Sequence, residues 1–535
     1  MEKRTLIALA LSFLVLGFYP VILQKFYPDY YKKNSAKAAV KQTSSAGTVT
    51  AGKLIKAGAL LADEDLPLRD GSLALVFNKK DGAIREIAFP RFISSENSRP
   101  IQLLSHKNLG ISPGALLMIE KADSALVTDF TAQAADSSVS FSAPPALGNI
   151  AVTKSYSIKS DYVMDLKLHF ENTTNAPVEF QYELVTGSGI IPRHSIDQQY
   201  IEANFFSASG DKKVLKHIKE ARLGKTAASD GPVEWIAVKD RHFSVIMKPE
   251  KGSFTGLVRG LGARDFSASL VSPSMSIGPR ASADQDFLVY IGPNEIDRLE
   301  PLGLGDLVNF GKFDPISRFF VGALELLQKV CRSYGLAIIA LTALINLCLF
   351  PLTRVSYMSM KRMQLIQPQM NKLREQHKKN PEKLNKEMME LYKKHKVNPF
   401  GGCVPMVVQI PIFIALYVAL SKSVILINSH FLWMNDLSSP DRFYLPVSLP
   451  FVGNYIHVLP LLMVCAMVVQ QKFTQIKMDG QDPAMEAQQK MMAMMMPVVF
   501  GFIFYQMPSG LVLYWLTNTL LMLTYQLRLK KMTLA

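Results

Sequence analysis

Tyr334 to Arg354 reads YGLAIIALTALINLCLFPLTR. Between Gly335 and Leu352 only Thr342 and Asn346 interrupt an apolar run long enough to cross a bilayer. They sit four residues apart, so on a helix they stack on one face. A strongly basic piece follows from Arg354 to Lys396. The chain then turns apolar again through Val397-Asn398-Pro399-Phe400-Gly401-Gly402-Cys403-Val404-Pro405 and Gln409-Ile410-Pro411-Ile412-Phe413. Apolar length points to a membrane, and polar groups inside such a run mark a place where something polar is handled.

The charge of the whole chain has to be weighed against its hydropathy. A formal net charge of +15 would suit a nucleic-acid binder, but 49% of the residues are hydrophobic. The basic residues cluster beside apolar segments, which is the positive-inside pattern and argues against a nucleic-acid substrate. Contact of the basic hairpin with RNA or a ribosome stays as a secondary reading. The four cysteines (Cys331, Cys348, Cys403 and Cys465) all lie in or beside the apolar C-terminal half. The stretch 55–310 therefore has no disulfide framework, and a Cys-rich metal site is not indicated. With no Walker loop, no Gly-x-Gly-x-x-Gly and scattered histidines, the expectation is no cofactor, no metal and no enzyme activity.

Met1-Glu2-Lys3-Arg4 precedes an apolar run from Thr5 to Leu23, read as a retained transmembrane anchor over 1–24. Residues 25–54 are small, polar and Lys-bearing, the composition of a flexible linker. From 55 to 310 the signals are all-β. Leu73–Asn78 and Ala83–Phe89 flank a Lys79-Lys80-Asp81-Gly82 turn, and Met164, Leu166, Leu168 and Phe170 alternate with polar residues. About 250 such residues suffice for a large β-sandwich. Asp240-Arg241-His242 and the basic stretch Lys212 to Lys225 are its most conspicuous polar clusters, read as strand-end surface residues rather than a catalytic group. Residues 311–333 carry Asp314-Pro315 as a helix start. Ile316, Phe319, Phe320, Ala323, Leu327 and Val330 follow at helical spacing, which predicts an amphipathic helix on the membrane surface.

In 354–397, Met363, Ile366, Met370 and Leu373 form one helical stripe and Leu384, Met388 and Leu391 another, with Asn380-Pro381 between them to cap and restart. This predicts a helical hairpin, and its excess of Lys and Arg makes it cytoplasmic. Three more spans follow the one beginning near Cys403. They are centred on Leu459–Val469, Met491–Phe504 and Leu511–Leu527, separated by a polar turn from Gln470 to Gln489 and by Pro508-Ser509-Gly510. The fold class expected is a polytopic α-helical membrane protein with six transmembrane helices, a large all-β periplasmic domain and a cytoplasmic helical hairpin. A five-helix core would occupy 334–535, both termini would be cytoplasmic, and residues 25–333 would be periplasmic. The Met491–Met496 run fits ordinary packing and a surface for varied apolar helices equally well.

The Phe350-Pro351-Leu352-Thr353 exit, the Asn398–Pro405 segment, Gln409–Phe413 and Pro508-Ser509-Gly510-Leu511-Val512-Leu513-Tyr514 together resemble the YidC membrane-protein insertase family, in its Gram-negative form with a large periplasmic domain. The resemblance implies a galactose-mutarotase-like super-sandwich for the β-domain and an inner-membrane insertase and chaperone. It also implies newly made membrane proteins as clients, the Sec translocon as partner, and a hydrated groove that works without nucleotide hydrolysis. The polar groove lining expected is Thr342, Asn346, Gln409, Tyr514 and Asn518. The family's paired tyrosines fall on Tyr514 and Trp515, and its groove arginine falls on Asn346, which keeps a hydrogen-bonding group but no charge. Arg354, Lys361, Arg362, Lys378 and Lys379 are the expected hairpin contacts to anionic lipid, ribosome or signal-recognition components. The competing readings are a transporter or channel, which would show internal repeats, and a tethered sugar-processing enzyme, which would leave the C-terminal half unexplained.

Overall fold

The computed structural model describes residues 65–532, apart from 96, 105–111, 121–122, 146–148, 210–211, 219–224, 263–264, 378–379, 396, 398–403, 450–452 and 475–482. The expected anchor and linker over 1–54 lie outside the described residues, as do Lys378, Lys379 and the Asn398–Cys403 part of the motif. The described chain forms two units, one of strands and one of helices.

The β-unit holds a four-stranded antiparallel sheet (Asp65–Arg69, Ala74–Asn78, Ile84–Ile93, Pro100–Leu104) and a fifteen-stranded network. The strand Thr226–Lys239 lets that network fold back on itself. Its first half pairs with Thr255–Gly262, and its second half with Glu202–Ser209 and Phe243–Pro249. Rings from the two layers meet between them, as where Phe170 lies 5.2 Å from Phe180 and 4.9 Å from Tyr182. The period-two alternation does what the sequence predicts: Met164, Leu166, Leu168 and Phe170 are all fully buried. The predicted hairpin pairs Ala74–Asn78 with Ile84–Ile93. At its turn Gly82 has φ +56, and a Cβ there would meet Lys154 and Phe141 at 2.9 Å, so glycine is required on both counts.

One expectation is corrected here. Asp240, Arg241 and His242 are buried, not surface residues. They form the tight turn between Thr226–Lys239 and Phe243–Pro249. The Asp240 carboxylate accepts the His242 and Phe243 N–H groups at 2.7 Å, and Arg241 pairs with Asp197 at 3.0 Å. A buried turn needs side chains to satisfy its backbone donors, and the Asp240 carboxylate does so.

The helical unit comprises α1 (Asp314–Cys331), α2 (Tyr334–Gln376), α3 (Pro381–Lys394), α4 (Val404–Lys422), α5 (Val458–Thr474), α6 (Pro483–Phe504) and α7 (Ser509–Met532). Helix α2 does not stop where its apolar run stops. It continues unbroken through Pro351 and Pro368 to Gln376, about 64 Å in all. Each proline removes one intrahelical bond, while the Thr353 hydroxyl donates to Leu349 O at 3.0 Å beside the first. Over Tyr334–Met363 α2 is long and apolar enough to cross a bilayer; Val407–Lys422, Val458–Phe473 and Met494–Phe504 are shorter apolar helices.

The hairpin forms as expected. Asn380 caps α3 by accepting Lys383 N–H at 3.1 Å with Pro381 in the first turn. Ile366 and Met370 of α2 are buried with Val397, against Met388, Leu391 and Tyr392. In α1 the apolar stripe is wider than its packing: Phe320 and Leu324 are buried, whereas Phe319 and Val330 are 68% and 77% exposed. Asp314 is the first helical residue, and its carboxylate accepts from Arg318 Nε.

The predicted turn from Gln470 to Gln489 is shorter than expected, since α5 runs to Thr474 and α6 begins at Pro483. Between α4 and α5 lies a two-stranded hairpin (Phe443–Leu449 with Gly453–Ile456) that the sequence reading missed. The segment before it tethers two helix starts. Ser509 and Gly510 N–H, at the start of α7, donate to Ser439 O and Leu437 O, and Leu459 N–H of α5 donates to Asp441 Oδ2. The Pro508-Ser509-Gly510 motif thus finds partners for donors that every helix N-terminus leaves unmatched.

Candidate functional site

Helix spacing places Ala343, Asn346, Leu347, Phe350 and Thr353 on one ridge of α2, and Leu521, Thr524, Tyr525 and Arg528 on a facing ridge of α7. Together with Met522 these residues line a groove of about 380 Å³. Its apolar walls include Phe350 and Tyr525, whose rings meet edge to face at 5.0 Å. Its polar groups are Asn346, Thr353, Thr524, the Tyr525 hydroxyl and Arg528.

Asn346 closes one end of the groove. Its Nδ2 donates to Asn518 Oδ1 at 2.9 Å across the two helices, and to Thr342 O at 2.8 Å one turn back. This pair leaves Asn346 half-buried with an oxygen still able to accept. A second polar bridge joins α4 to α7: Gln409 Nε2 donates to the Tyr514 hydroxyl at 2.6 Å. Tyr514 is 1% exposed, so this bond satisfies a phenol that would otherwise be stranded in the bundle.

The structure therefore sorts the predicted groove residues. Asn346 lines the groove, Asn518 holds it in place, and Gln409 with Tyr514 forms a separate interhelical bridge. Thr342 is fully buried and donates its hydroxyl to Ile338 O of its own helix. Trp515 is half-buried in an aromatic cluster, 5.0 Å from Phe413 and 5.2 Å from both Phe500 and Phe504, and so packs three helices together. Thr353, Thr524, Tyr525 and Arg528 were not singled out as groove residues. The signal was present, since Leu521, Tyr525 and Arg528 recur three or four residues apart and in step with Asn518.

Of the basic residues assigned to the hairpin, Arg354 and Arg362 are exposed, and the Lys361 ammonium lies 5.9 Å over the Tyr357 ring. In the β-unit, burial pushes the Asp240 carboxyl up to about 6 despite its two backbone hydrogen bonds. That shift belongs to the buried turn described above. Among the described residues no group of His, Cys, Asp or Glu is arranged to hold a metal ion.

Two family models match the chain: "60Kd inner membrane protein" over residues 326–534, and "YidC periplasmic domain" over residues 66–323. Among curated relatives, the membrane protein insertase YidC of Geotalea daltonii is 31% identical, covering 99% of this chain and 99% of the relative. That of Pelobacter propionicus is 32% identical over the same shares. A solved structure described as an active YidC insertase with its first transmembrane domain resolved covers 87% of this chain and 93% of its own, at 18% identity and a TM-score of 0.38.

Proposed function

The chain belongs to the YidC membrane protein insertase family, and from that premise we propose that it inserts proteins into the inner membrane and helps them fold. The observation that carries this reading is the α2–α7 groove, where polar side chains and an arginine sit between helices whose other faces are apolar and exposed. Insertion means moving a client's polar flank across hydrocarbon, and each charge costs about 2.5–3.5 kcal/mol at the centre of a bilayer on translocon-type scales. A hydrated groove bounded by Asn346, Thr353, Thr524, Tyr525 and Arg528 shortens that apolar path. The client's hydrophobic helix then moves sideways into lipid, driven by burial of its own apolar surface. No bond is made or broken and no nucleotide is hydrolysed.

Around this groove we place six spans. They are the N-terminal anchor and helices α2, α4, α5, α6 and α7, with both termini cytoplasmic, the β-domain periplasmic and the α2–α3 hairpin cytoplasmic. The positive-inside bias of the hairpin supports that orientation. The exposed half of the α1 stripe, Phe319 and Val330, suits the periplasmic membrane surface. Clients are newly made membrane proteins, taken alone or beside the Sec translocon. The exposed Arg354 and Arg362 serve anionic lipid, a ribosome or signal-recognition components. Met494 and Met496, both exposed, offer a compliant surface to varied apolar helices.

Insertion of a single-span client with an acidic N-terminal tail tests this reading, using liposomes that hold only this protein and protease protection of the tail as readout. Wild type is expected to protect the tail, and Asn346→Ala to lower the protected fraction about threefold, the worth of one interhelical hydrogen bond. Absence of protection with wild type and with Asn346→Arg, in correctly oriented protein, would overturn the assignment in favour of a solute pathway.

A further inference from the structure

We propose that the outward face of the four-stranded sheet in the β-domain binds an extended, acidic segment of a partner polypeptide. One face of that sheet is core: Leu75, Phe77, Ile87 and Phe89 are fully buried. The residues between them point the other way, and a direct cross-strand row runs Arg69–Ala74–Ala88–Gln102 through all four strands. Two alanines at its centre leave a trough, since no side chain beyond Cβ fills the space above them. The chain around Ile190 pairs with Leu104 at the edge of the fourth strand, and Ile191 N–H donates to Leu103 O at 3.0 Å. That pairing stands Ile191, Pro192 and Arg193 up as a side wall. The resulting cleft measures about 630 Å³, the size of sites that hold small ligands or short peptides.

Charge selects the occupant. The described lining carries Arg69, Arg99 and Arg193 against a single carboxylate, Glu86. Arg69 ends the first strand and Arg99 precedes the fourth, and both are exposed. Three interstrand steps and a three-residue offset along the fourth strand separate them, about 18 Å between backbone positions. An extended peptide rising about 3.4 Å per residue spans most of that gap in four residues and can present a separate carboxylate to each guanidinium, where a phosphate presents one compact group. Carboxylates at positions i and i+4 of such a strand lie on the same face and meet both rims. The Pro90, Pro100, Ile191 and Pro192 surfaces between them suit an aliphatic side chain at i+2. The site thus reads an acidic–apolar–acidic pattern in an extended chain.

Fluorescence anisotropy with the full-length chain in detergent tests this, using a labelled Glu-Thr-Val-Thr-Glu peptide as probe. Saturable binding is expected, weakening as salt rises, about tenfold weaker in the Arg69→Ala/Arg99→Ala double variant, and largely retained when both arginines become lysine. Both positions are exposed, so these variants fold. Equal affinity for a peptide with glutamine in place of both glutamates would overturn the proposal. So would unchanged binding by the double variant. Complete displacement by millimolar inorganic phosphate, or binding of phosphatidylglycerol vesicles without binding of the peptide, would reassign the cleft to a phosphate group or a lipid headgroup.

Discussion

The β-domain and the helical unit dispose of apolar surface in opposite ways. In the strands, large side chains such as Phe77, Tyr156, Phe170 and Trp235 are fully enclosed, and the exposed positions beside them are polar or small. In the helices, Leu347, Val498 and Phe502 are 68%, 63% and 73% exposed on elements that are otherwise well packed. Only 28% of the most apolar window of α2 is buried within the protein. A domain in water must cover its apolar atoms with its own chain. A domain in lipid need not, and small residues and hydrogen bonds then join large rings in making its internal contacts. Gly501 shows this: a Cβ there would meet Val464 at 2.5 Å, so α5 and α6 approach as closely as glycine permits.

Truncation in the β-core should show the contrast at its largest. Phe170→Ala removes a ring that packs between the two layers and is expected to cost about 3–5 kcal/mol, read as a lower unfolding transition of the β-domain in calorimetry of the intact chain. A loss below about 1 kcal/mol would mean that the two layers are not held together by this core.

An intermediate effect comes from charge buried in the same domain. Lys154 is fully enclosed, donating to Asp81 O and Gly114 O, and burial pushes its ammonium down to about 7 against the pull of Asp81. The unfolded chain, with an ordinary lysine near 10.5, binds the extra proton between those two values. Stability is therefore greatest above pH 10.5 and falls as pH drops towards 7, with a slope of about 1.4 kcal/mol per pH unit. Calorimetry between pH 7 and 10 should show the β-domain transition rising with pH in wild type and lying flat in Lys154→Met. A wild-type transition that falls over this range would contradict the assignment.

The smallest effect closes the contrast. Phe502→Ala deletes as large a ring as Phe170→Ala, but one that is 73% exposed. Its expected cost is within about 0.5 kcal/mol when the helical unit is unfolded in lipid or detergent. A cost as large as that of Phe170→Ala would mean that a protein surface, not lipid, normally covers this face.

Much of this could be read from local pattern. Alternation around Met164–Phe170 identified a half-buried strand, and the spacing of Ile366 and Met370 against Met388 and Leu391 identified the hairpin seam. Asn346 stood out because an amide in an apolar run needs a partner. Other parts escaped because their cause is not local. Proline at 351 reads as the exit of the apolar segment, yet α2 passes through it because packing on α1, α3 and α7 outweighs one lost bond. Asp240-Arg241-His242 reads as surface until the turn is seen to be buried.

Composition, apolar length and periodicity by themselves determined that this chain pairs a large β-domain with membrane-length helices, and which face of most elements turns inward. Those signals repeat within a few residues, and local geometry translates them directly. Tertiary structure alone decided which inward face meets which. It joined Gln409 to Tyr514 across 105 positions and Asn346 to Asn518 across 172. It turned Trp515 into an aromatic cluster and brought Arg528 to the groove. It also laid Arg69, Ala74, Ala88 and Gln102 in one row. A period specifies a direction around an element, whereas the partner found in that direction depends on how the whole chain closes on itself.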